Sequence, residues 1–274
     1  MSINKLLKLA APAALLSLTP AIAQAGNLQG DDFVGISFWL ISIALVASTA
    51  FFFLETQRVS AKWKTSLVVS GLVTLVAAVH YFYMRDVWVL SMAANNGVGD
   101  TPTVYRYIDW LITVPLLMIE FYLVLRAITN VSGGVFWRLT IGTLVMLIGG
   151  YLGEAGAEGY SYGINPTIGF VIGMIGWAYI LYEIFAGEAG KIAAEKASPA
   201  VQSAYSTMRW IVTIGWAIYP IGYVFGYMVG GDADGGMTAA NAANLNIIYN
   251  LADVINKIAF GVIIWNVAVT ESEK

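Results

Sequence analysis

The sequence predicts an all-α membrane protein, a single bundle of seven transmembrane helices, and two observations support this fold class. The 274 residues are 58% hydrophobic and only 11% charged, against about 25% charged residues in ordinary soluble domains. Seven separate apolar stretches are each long enough for the roughly 20 residues that a membrane crossing needs. Because a bilayer cannot hydrogen-bond the backbone, such stretches must be helical, and a soluble globular fold is excluded.

The first 25 residues have the pattern of an export signal. Lys5 and Lys8 form a basic segment, residues 6–18 are apolar, and small residues at 23–25 resemble a cleavage site. The alternative is an uncleaved segment on the membrane surface. Cleavage leaves residues 26–274 as one seven-helix domain, with its N-terminus outside and its C-terminus in the cytoplasm.

The seven membrane helices follow one another along the rest of the chain, and charges, glycine or proline bound each of them, as expected at helix ends. They are predicted at residues 33–54, 65–84, 104–126, 135–153, 167–187, 205–229 and 243–270.

Two short patterns lie between and within these helices. Asn95-Asn96-Gly97, between the second and third helices, favours either a β-hairpin or an irregular loop. Small residues spaced four apart predict close helix packing. They occur at Gly169/Gly173 and at Gly222/Gly226/Gly230.

The charges outside the helices agree with this orientation, since cytoplasmic loops are rich in lysine and arginine. The loops at 55–64, 127–134 and 188–204 are expected on the cytoplasmic side. Their flanks carry Arg58, Lys62, Lys64, Arg126, Arg138, Lys191, Lys196 and Arg209. The opposite loops are mainly acidic, with Arg85 as the one base and Asp86, Asp100, Glu154, Glu158, Asp232 and Asp234 as the acids.

Composition also excludes several functions. A net charge of −3 gives no sign of a nucleic-acid partner. The absence of cysteine excludes disulfides and thiolate chemistry, and a single histidine, His80, argues against a dedicated metal centre. We find no phosphate-binding glycine pattern, GxSxG nucleophile or HExxH pair in the sequence.

Five ionisable residues lie inside the predicted third and seventh helices: Arg106, Asp109, Glu120, Asp253 and Lys257. Each costs about 2.5–3.5 kcal/mol to insert, so each needs a partner or a function. Glu120 is eleven positions after Asp109, which places the two within about 20° on one helix face and about 16 Å apart along the axis. Asp253 and Lys257 share a face at i, i+4.

Lys257 has two interpretations. A buried amine can form an ion pair with Asp253 that only fixes helix packing, or it can condense with an aldehyde. The charges of Arg106, Asp109, Asp253 and Lys257 balance only when the lysine nitrogen keeps its proton. Glu120 has no cation near it in sequence, and a buried acid without a partner favours its neutral form. A neutral inner acid, a charged outer acid and a protonatable nitrogen between them describe a proton relay.

His80, near the outer end of the second predicted helix, also has two interpretations. It could join Asp109 and influence the charge of that acid, or it could be a hydrogen-bonded packing residue.

Four long motifs occur in order: RYIDWLITVPLL at 106–117, SPAVQS at 198–203, GWAIYP at 215–220, and YNLADVINK at 249–257, which IIWNVAV follows at 263–269. With these motifs, the chain from about residue 33 to 273 resembles the proteorhodopsins, light-driven proton pumps of the microbial rhodopsin family. The resemblance implies a transporter rather than an enzyme, in the bacterial inner membrane, with retinal in the core of the bundle.

The resemblance also implies residue roles. Lys257 would form the protonated Schiff base with all-trans retinal, and Asp109 and Asp253 would be its counterions. Asp109 would accept the proton after photoisomerisation, and Glu120 would return one from the cytoplasmic side. Arg106 matches the arginine that organises the outer half-channel.

His80 matches the histidine that bonds the acceptor aspartate. The retinal pocket would include aromatic residues and methionine, although periodicity alone makes each of them ordinary helix packing. Pro220 would free backbone carbonyls beside the pocket, whereas most membrane prolines only bend a helix. The pocket positions matched by the resemblance are Trp110, Thr113, Leu117, Met146, Trp177, Trp216, Tyr219 and Pro220.

Two further positions carry expectations about pigments. Leu117 stands where leucine accompanies green absorption and glutamine blue absorption in proteorhodopsins. Phe170 stands where carotenoid-binding relatives have glycine, so a carotenoid antenna is not expected; without the resemblance, Phe170 equally fits a lipid-facing position. The resemblance further implies a homo-oligomer, a pentamer or hexamer, surrounded by lipid.

Asp109, Thr113 and Glu120 together fit the proton-pump pattern. A chloride pump would have a neutral residue at position 109, and a sodium pump would have Asn, Asp and Gln at the three positions. A photosensory rhodopsin, which usually lacks the inner carboxylate, remains the alternative within the family. Outside it, the alternative is a seven-helix transporter without retinal, in which Lys257 serves only as an ion-pair partner.

Overall fold

The structure is a computed structural model that describes residues 29–229 and 238–273. In this part of the chain it confirms seven helical spans that are long and apolar enough to cross a membrane. The proposed export signal at residues 1–25 lies outside the described residues. The α-helices are α1 (Phe33–Glu55), α2 (Lys64–Ala94), α3 (Thr103–Arg126), α4 (Gly133–Ala157), α5 (Pro166–Phe185), α6 (Glu188–Lys196), α7 (Pro199–Trp210), α8 (Ile218–Tyr223) and α9 (Ala239–Ser272).

The sixth span is not one regular α-helix. A first π-helical turn, Ile211–Gly215, separates α7 from α8, and a second, Val224–Met228, follows α8. We call the whole stretch Pro199–Met228 the sixth span. Helices α1 to α5 pack in chain order, and α9 packs against α1, α2 and the sixth span. The bundle is therefore closed around a central space.

Close packing at glycine is confirmed between α4 and α5. A Cβ atom on Gly169 would lie 2.5 Å from the Cα of Gly153, and one on Gly176 would lie 2.4 Å from the backbone nitrogen of Met146. On the other side of the bundle, Gly222 packs against the Tyr249 ring. Gly226 packs against Leu245, and Gly230 lies outside the described residues.

Several predicted helix ends were wrong, because charges were taken as ends. Helix α2 continues to Ala94, ten residues beyond the prediction, so Arg85 and Asp86 are helical, and Arg85 is buried. Helix α4 continues to Ala157 and carries Glu154. A charge marks where lipid contact ends or where a polar partner lies inside the bundle, whereas the backbone hydrogen bonds of a helix continue past it.

The connections also differ from the prediction. The irregular loop, not the β-hairpin, joins α2 to α3: Asn96 and Gly97 turn the chain with φ of 53° and 89°. Much of the expected loop at 188–204 is helical, forming α6 and the start of α7. Ser198 caps the N-terminus of α7, because its hydroxyl accepts the backbone N–H of Val201 at 3.3 Å.

Gly169→Ala is expected to destabilise the protein. The new methyl group would meet backbone atoms of α4 that cannot move aside, and such overpacking costs about 1–3 kcal/mol. Gly133→Ala is the matched control, because its methyl group would meet no atom within 4 Å. Thermal unfolding in detergent should show a lower midpoint for Gly169→Ala only; equal midpoints for the two variants would contradict the packing assignment.

Candidate functional site

A cavity lies inside the bundle, between α9 on one side and α4 and α5 on the other. Its walls are mostly apolar, as is common in small-molecule sites. Lys257 and Asp253 lie at its α9 side, and Phe170 also lines it. The predicted pocket residues that line it are Trp110, Leu117, Met146, Trp177, Trp216, Tyr219 and Pro220.

The amine of Lys257 lies between two carboxylates from different helices. Its Nζ atom is 2.5 Å from Oδ2 of Asp109 on α3 and 2.9 Å from Oδ2 of Asp253 on α9. All three side chains are at most 2% exposed. The predicted i, i+4 pair is thus present, and tertiary packing adds the second acid.

The two carboxylates are held differently. Asp253 accepts hydrogen bonds from Tyr81 at 2.9 Å, Tyr219 at 2.7 Å and the Trp110 indole at 3.1 Å. Within the described chain, Oδ1 of Asp109 has no hydrogen-bond partner. Asp253 is therefore the more fully satisfied anion, and Asp109 keeps a free acceptor oxygen beside the amine.

Arg106 lies near these acids and is held by amides. Its guanidinium donates to Asn246 at 2.8 Å and to Asn250 at 3.2 Å, and it lies 5.2 Å from the centre of the Tyr249 ring. Among the residues described, no carboxylate is within ion-pair distance of it. Of the four charges that were expected to balance, Lys257, Asp109 and Asp253 thus form one cluster, and Arg106 lies apart from it.

Glu120 is separated from this cluster and does not line the cavity. It is fully buried between α3 and α2, where the Ser70 hydroxyl donates to its Oε1 at 3.4 Å and Ser66 is within hydrogen-bonding range. Its Oε2 atom has no partner in the part of the chain that the structure covers. Among the described residues, no cation lies within ion-pair distance of Glu120.

His80 and Thr113 bond to backbone carbonyls. The Nδ1 atom of half-buried His80 lies 2.9 Å from the carbonyl of Val76. His80 is within electrostatic range of Asp109, but no hydrogen bond joins their described side chains. Thr113 is buried and donates to the carbonyl of Asp109 at 3.0 Å, and it does not line the cavity.

Sequence reasoning missed several site residues. Asn246, Asn250, Asp253 and Lys257 are spaced by four, three and four, which is the helical period of one face, so this pattern could have indicated the amides around Arg106. Tyr81 gave no signal, because one tyrosine in an apolar helix is ordinary.

Glu154, expected in an outer loop, is buried beside the cavity. It accepts hydrogen bonds from Tyr107 at 2.9 Å and Tyr249 at 3.2 Å. One helical turn further, Glu158 accepts bonds from Thr103 and from Tyr227. Two acids and three tyrosines thus form a polar cluster at this end of the bundle.

The fold and the site define a class: a seven-helix membrane protein with a buried amine at one side of an aromatic cavity. A family model described as bacteriorhodopsin-like protein matches residues 32–271, and the chain belongs to this family. It is 56% identical to a green-light absorbing proteorhodopsin from Gamma-proteobacterium EBAC31A08, over 94% of this chain and 95% of that protein. It is 53% identical to a blue-light absorbing proteorhodopsin from Gamma-proteobacterium Hot 75m4, over 94% of each chain.

Solved structures of similar fold agree with this family assignment. The blue light-absorbing proteorhodopsin from Med12 is 51% identical, with a TM-score of 0.70 over 88% of this chain and 100% of that one. Xanthorhodopsin, described as a light-driven ion pump with dual chromophore, is 28% identical, with a TM-score of 0.72 over 88% and 93% of the two chains.

Glu158, just beyond the end of α4, provides a test of the polar cluster by pH. Burial raises the pKa of Glu158 above its ordinary value, although the hydrogen bonds from Thr103 and Thr101 oppose this shift. The folded chain therefore binds this proton more tightly than the unfolded chain. The charged side chain costs stability above the folded pKa, and this cost disappears as pH falls below the ordinary value of 4.5.

Glu158→Gln should thus raise the thermal midpoint more at pH 8 than at pH 4. Glu195→Gln, which removes an exposed acid from α6, is the control for the loss of one carboxylate. The thermal midpoint of each variant is measured at pH 8 and at pH 4. An equal change at the two pH values for Glu158→Gln would show that burial of this acid does not make stability depend on pH.

Proposed function

We propose that this chain is a light-driven outward proton pump that carries all-trans retinal on Lys257. The observation that carries the proposal is the position of the Lys257 amine: buried, at one side of the aromatic cavity, and between the carboxylates of Asp109 and Asp253. The similarity to proteorhodopsins supports the same function. The protein is a multi-pass membrane transporter.

The residues of the cavity fit retinal. A polyene with a ring needs a long apolar space with an amine at one side, and aromatic side chains from α3, α5 and the sixth span provide the walls. Trp110, Trp177, Trp216 and Tyr219 would hold the chain of the polyene. Lys257 would hold retinal covalently through its nitrogen, and the bound group would supply light absorption and photoisomerisation.

The protein's own residues provide the proton path. Asp109 has an unsatisfied oxygen and is therefore the acid best placed to take the proton from the Lys257 nitrogen. Asp253, with its hydrogen bonds already formed, stays an anion that keeps the site compensated. His80 acts on Asp109 electrostatically, in place of the direct histidine bond that the resemblance suggests, and Arg106 acts in the same way on Asp253.

Glu120 supplies the other half of the path. It is buried on the same helix as Asp109, without a cation, and serine hydroxyls hold it, so it can keep a proton until the Lys257 nitrogen needs one. Taking up the proton from this side and releasing it on the other makes transport directional. Moving one charge against 100 mV takes about 2.3 kcal/mol.

The orientation, with Glu120 towards the cytoplasm and an external N-terminus, rests on the charge pattern of the loops.

Leu117 lines the cavity and supports green absorption. Phe170 also lines it, with its ring 5.4 Å from that of Tyr223, which leaves no glycine opening for a carotenoid ring. A pentamer or hexamer in the lipid completes the proposal. Glu120 favours pumping over the photosensory alternative.

Lys257→Ala should abolish the visible pigment and leave a folded membrane protein, because the attachment point is lost and alanine is cheaper to insert than lysine. Retinal is added to membranes that hold each variant, and the absorption spectrum is recorded. Lys191→Ala, on the exposed side of α6, should form pigment like the unaltered protein. Visible pigment in Lys257→Ala without an added amine would overturn the assignment.

Glu120→Gln should leave the absorption maximum nearly unchanged, since Glu120 does not line the cavity. Reprotonation should slow by at least about tenfold at neutral pH and should become dependent on bulk pH, because an internal acid contributes about 10²–10⁴-fold to such a step. Flash photolysis measures the recovery, with Glu195→Gln as the control. Unaltered recovery in Glu120→Gln would reject the donor role.

A further inference from the structure

The side chain of Asn256 links the sixth span to the acids beside Lys257. It is 2% exposed and lines the cavity one residue before Lys257. Its Nδ2 atom donates to the carbonyl of Gly215 at 3.0 Å, in the first π-helical turn. The same amide lies within hydrogen-bonding range of the Tyr219 hydroxyl. Tyr219 in turn donates to Asp253 at 2.7 Å.

The backbone explains why Gly215 needs a side-chain donor. In the π-helical turn the N–H of Trp216 bonds to the carbonyl of Ile211, five residues back. By the same spacing, the Gly215 carbonyl would take its bond from residue 220, but Pro220 has no N–H. The N–H of Tyr219 bonds to Trp216 instead. A carbonyl without a partner is costly inside a membrane protein, and the Asn256 amide provides the missing donor.

The absence of a side chain at Gly215 allows this contact. A Cβ atom there would lie 2.1 Å from Oδ1 of Asn256 and 3.6 Å from its Nδ2. Any larger residue would displace the amide, so Gly215 and Asn256 fit together as a pair.

We propose that Asn256 is a positioning residue that acts through Tyr219 to set how strongly Asp253 is held as an anion. Gly215 lies four residues before Tyr219, so the bond from Asn256 to the Gly215 carbonyl fixes the backbone from which the Tyr219 hydroxyl reaches Asp253. Asn256 thereby stabilises the bond from Tyr219 to Asp253 through the π-helical turn beside Trp216. The role of this site in a retinal pump rests on the proposed function above.

Other groups also face Asp253 and Tyr219. Tyr81 approaches from α2, and Lys257 lies one turn further along α9. From α3 come Arg106, Asp109 and the Trp110 indole. Asn256 bonds to none of the acids in the described residues. Its influence on them must therefore pass through Tyr219, which a double-mutant cycle can test.

The test uses the retinal-bound protein in the dark and measures the pH midpoint of its colour change, which belongs to the coupled acids. Asn256→Leu should move this midpoint to higher pH by about half a unit to one unit, the effect of one weakened hydrogen bond. In a Tyr219→Phe background the same substitution should have no further effect. Asn266→Leu, at an exposed position on α9, is the control and should leave the midpoint unchanged.

A second variant guards against misfolding of Asn256→Leu. Gly215→Ala should displace the amide and move the midpoint in the same direction. Unchanged midpoints in both variants would overturn this role of Asn256. So would a double variant in which the shifts from Asn256→Leu and Tyr219→Phe add fully. Neither result would contradict the proposed function. An unaltered protein that binds no retinal would overturn the proposed function, and with it the role of Asn256 in a pigment.

Discussion

The buried ammonium of Lys257 is the constraint on which the rest of the site depends. Removing one partner of a buried ion pair costs about 3–5 kcal/mol, so a charged amine at 2% exposure requires nearby anions. Asp253 comes from the same helix and Asp109 from α3, which fixes α3 against α9 at this depth. Each anion in turn requires donors, and the tyrosines and the indole around Asp253 follow from that need.

The polar residues are distributed unequally about this amine. Towards the Arg106 end of α3 lies a dense network of asparagines, tyrosines and acids, including Glu154 and Glu158. Towards the other end, the hydrogen-bond partners of Glu120 among the described residues are serine hydroxyls from α2. A proton therefore meets many stabilising groups on one side of Lys257 and an isolated acid on the other, and the proposal of transport in one direction rests on this asymmetry.

Departures from regular helix shape the cavity and are compensated within the protein. The first π-helical turn of the sixth span leaves the Gly215 carbonyl without a backbone donor, and lipid cannot supply one. Asn256 bonds to the Gly215 carbonyl, and the Trp177 indole bonds to that of Val212 at 3.0 Å. On the opposite wall, glycines let α4 and α5 approach closely. The aromatic residues around the cavity are thus positioned by an irregular span facing a tightly packed helix pair.

Much of this protein follows from its sequence alone, because lipid enforces helices on apolar stretches and makes internal charges conspicuous. The seven spans, the Asp253–Lys257 spacing and the isolation of Glu120 are all local in sequence. Tertiary structure alone decided the partners across helices: Tyr81 on Asp253, the amides on Arg106, and the burial of Glu154. It also decided that His80 bonds a carbonyl instead of Asp109. Such contacts depend on helix rotation and depth within the bundle, which the sequence of one helix does not specify.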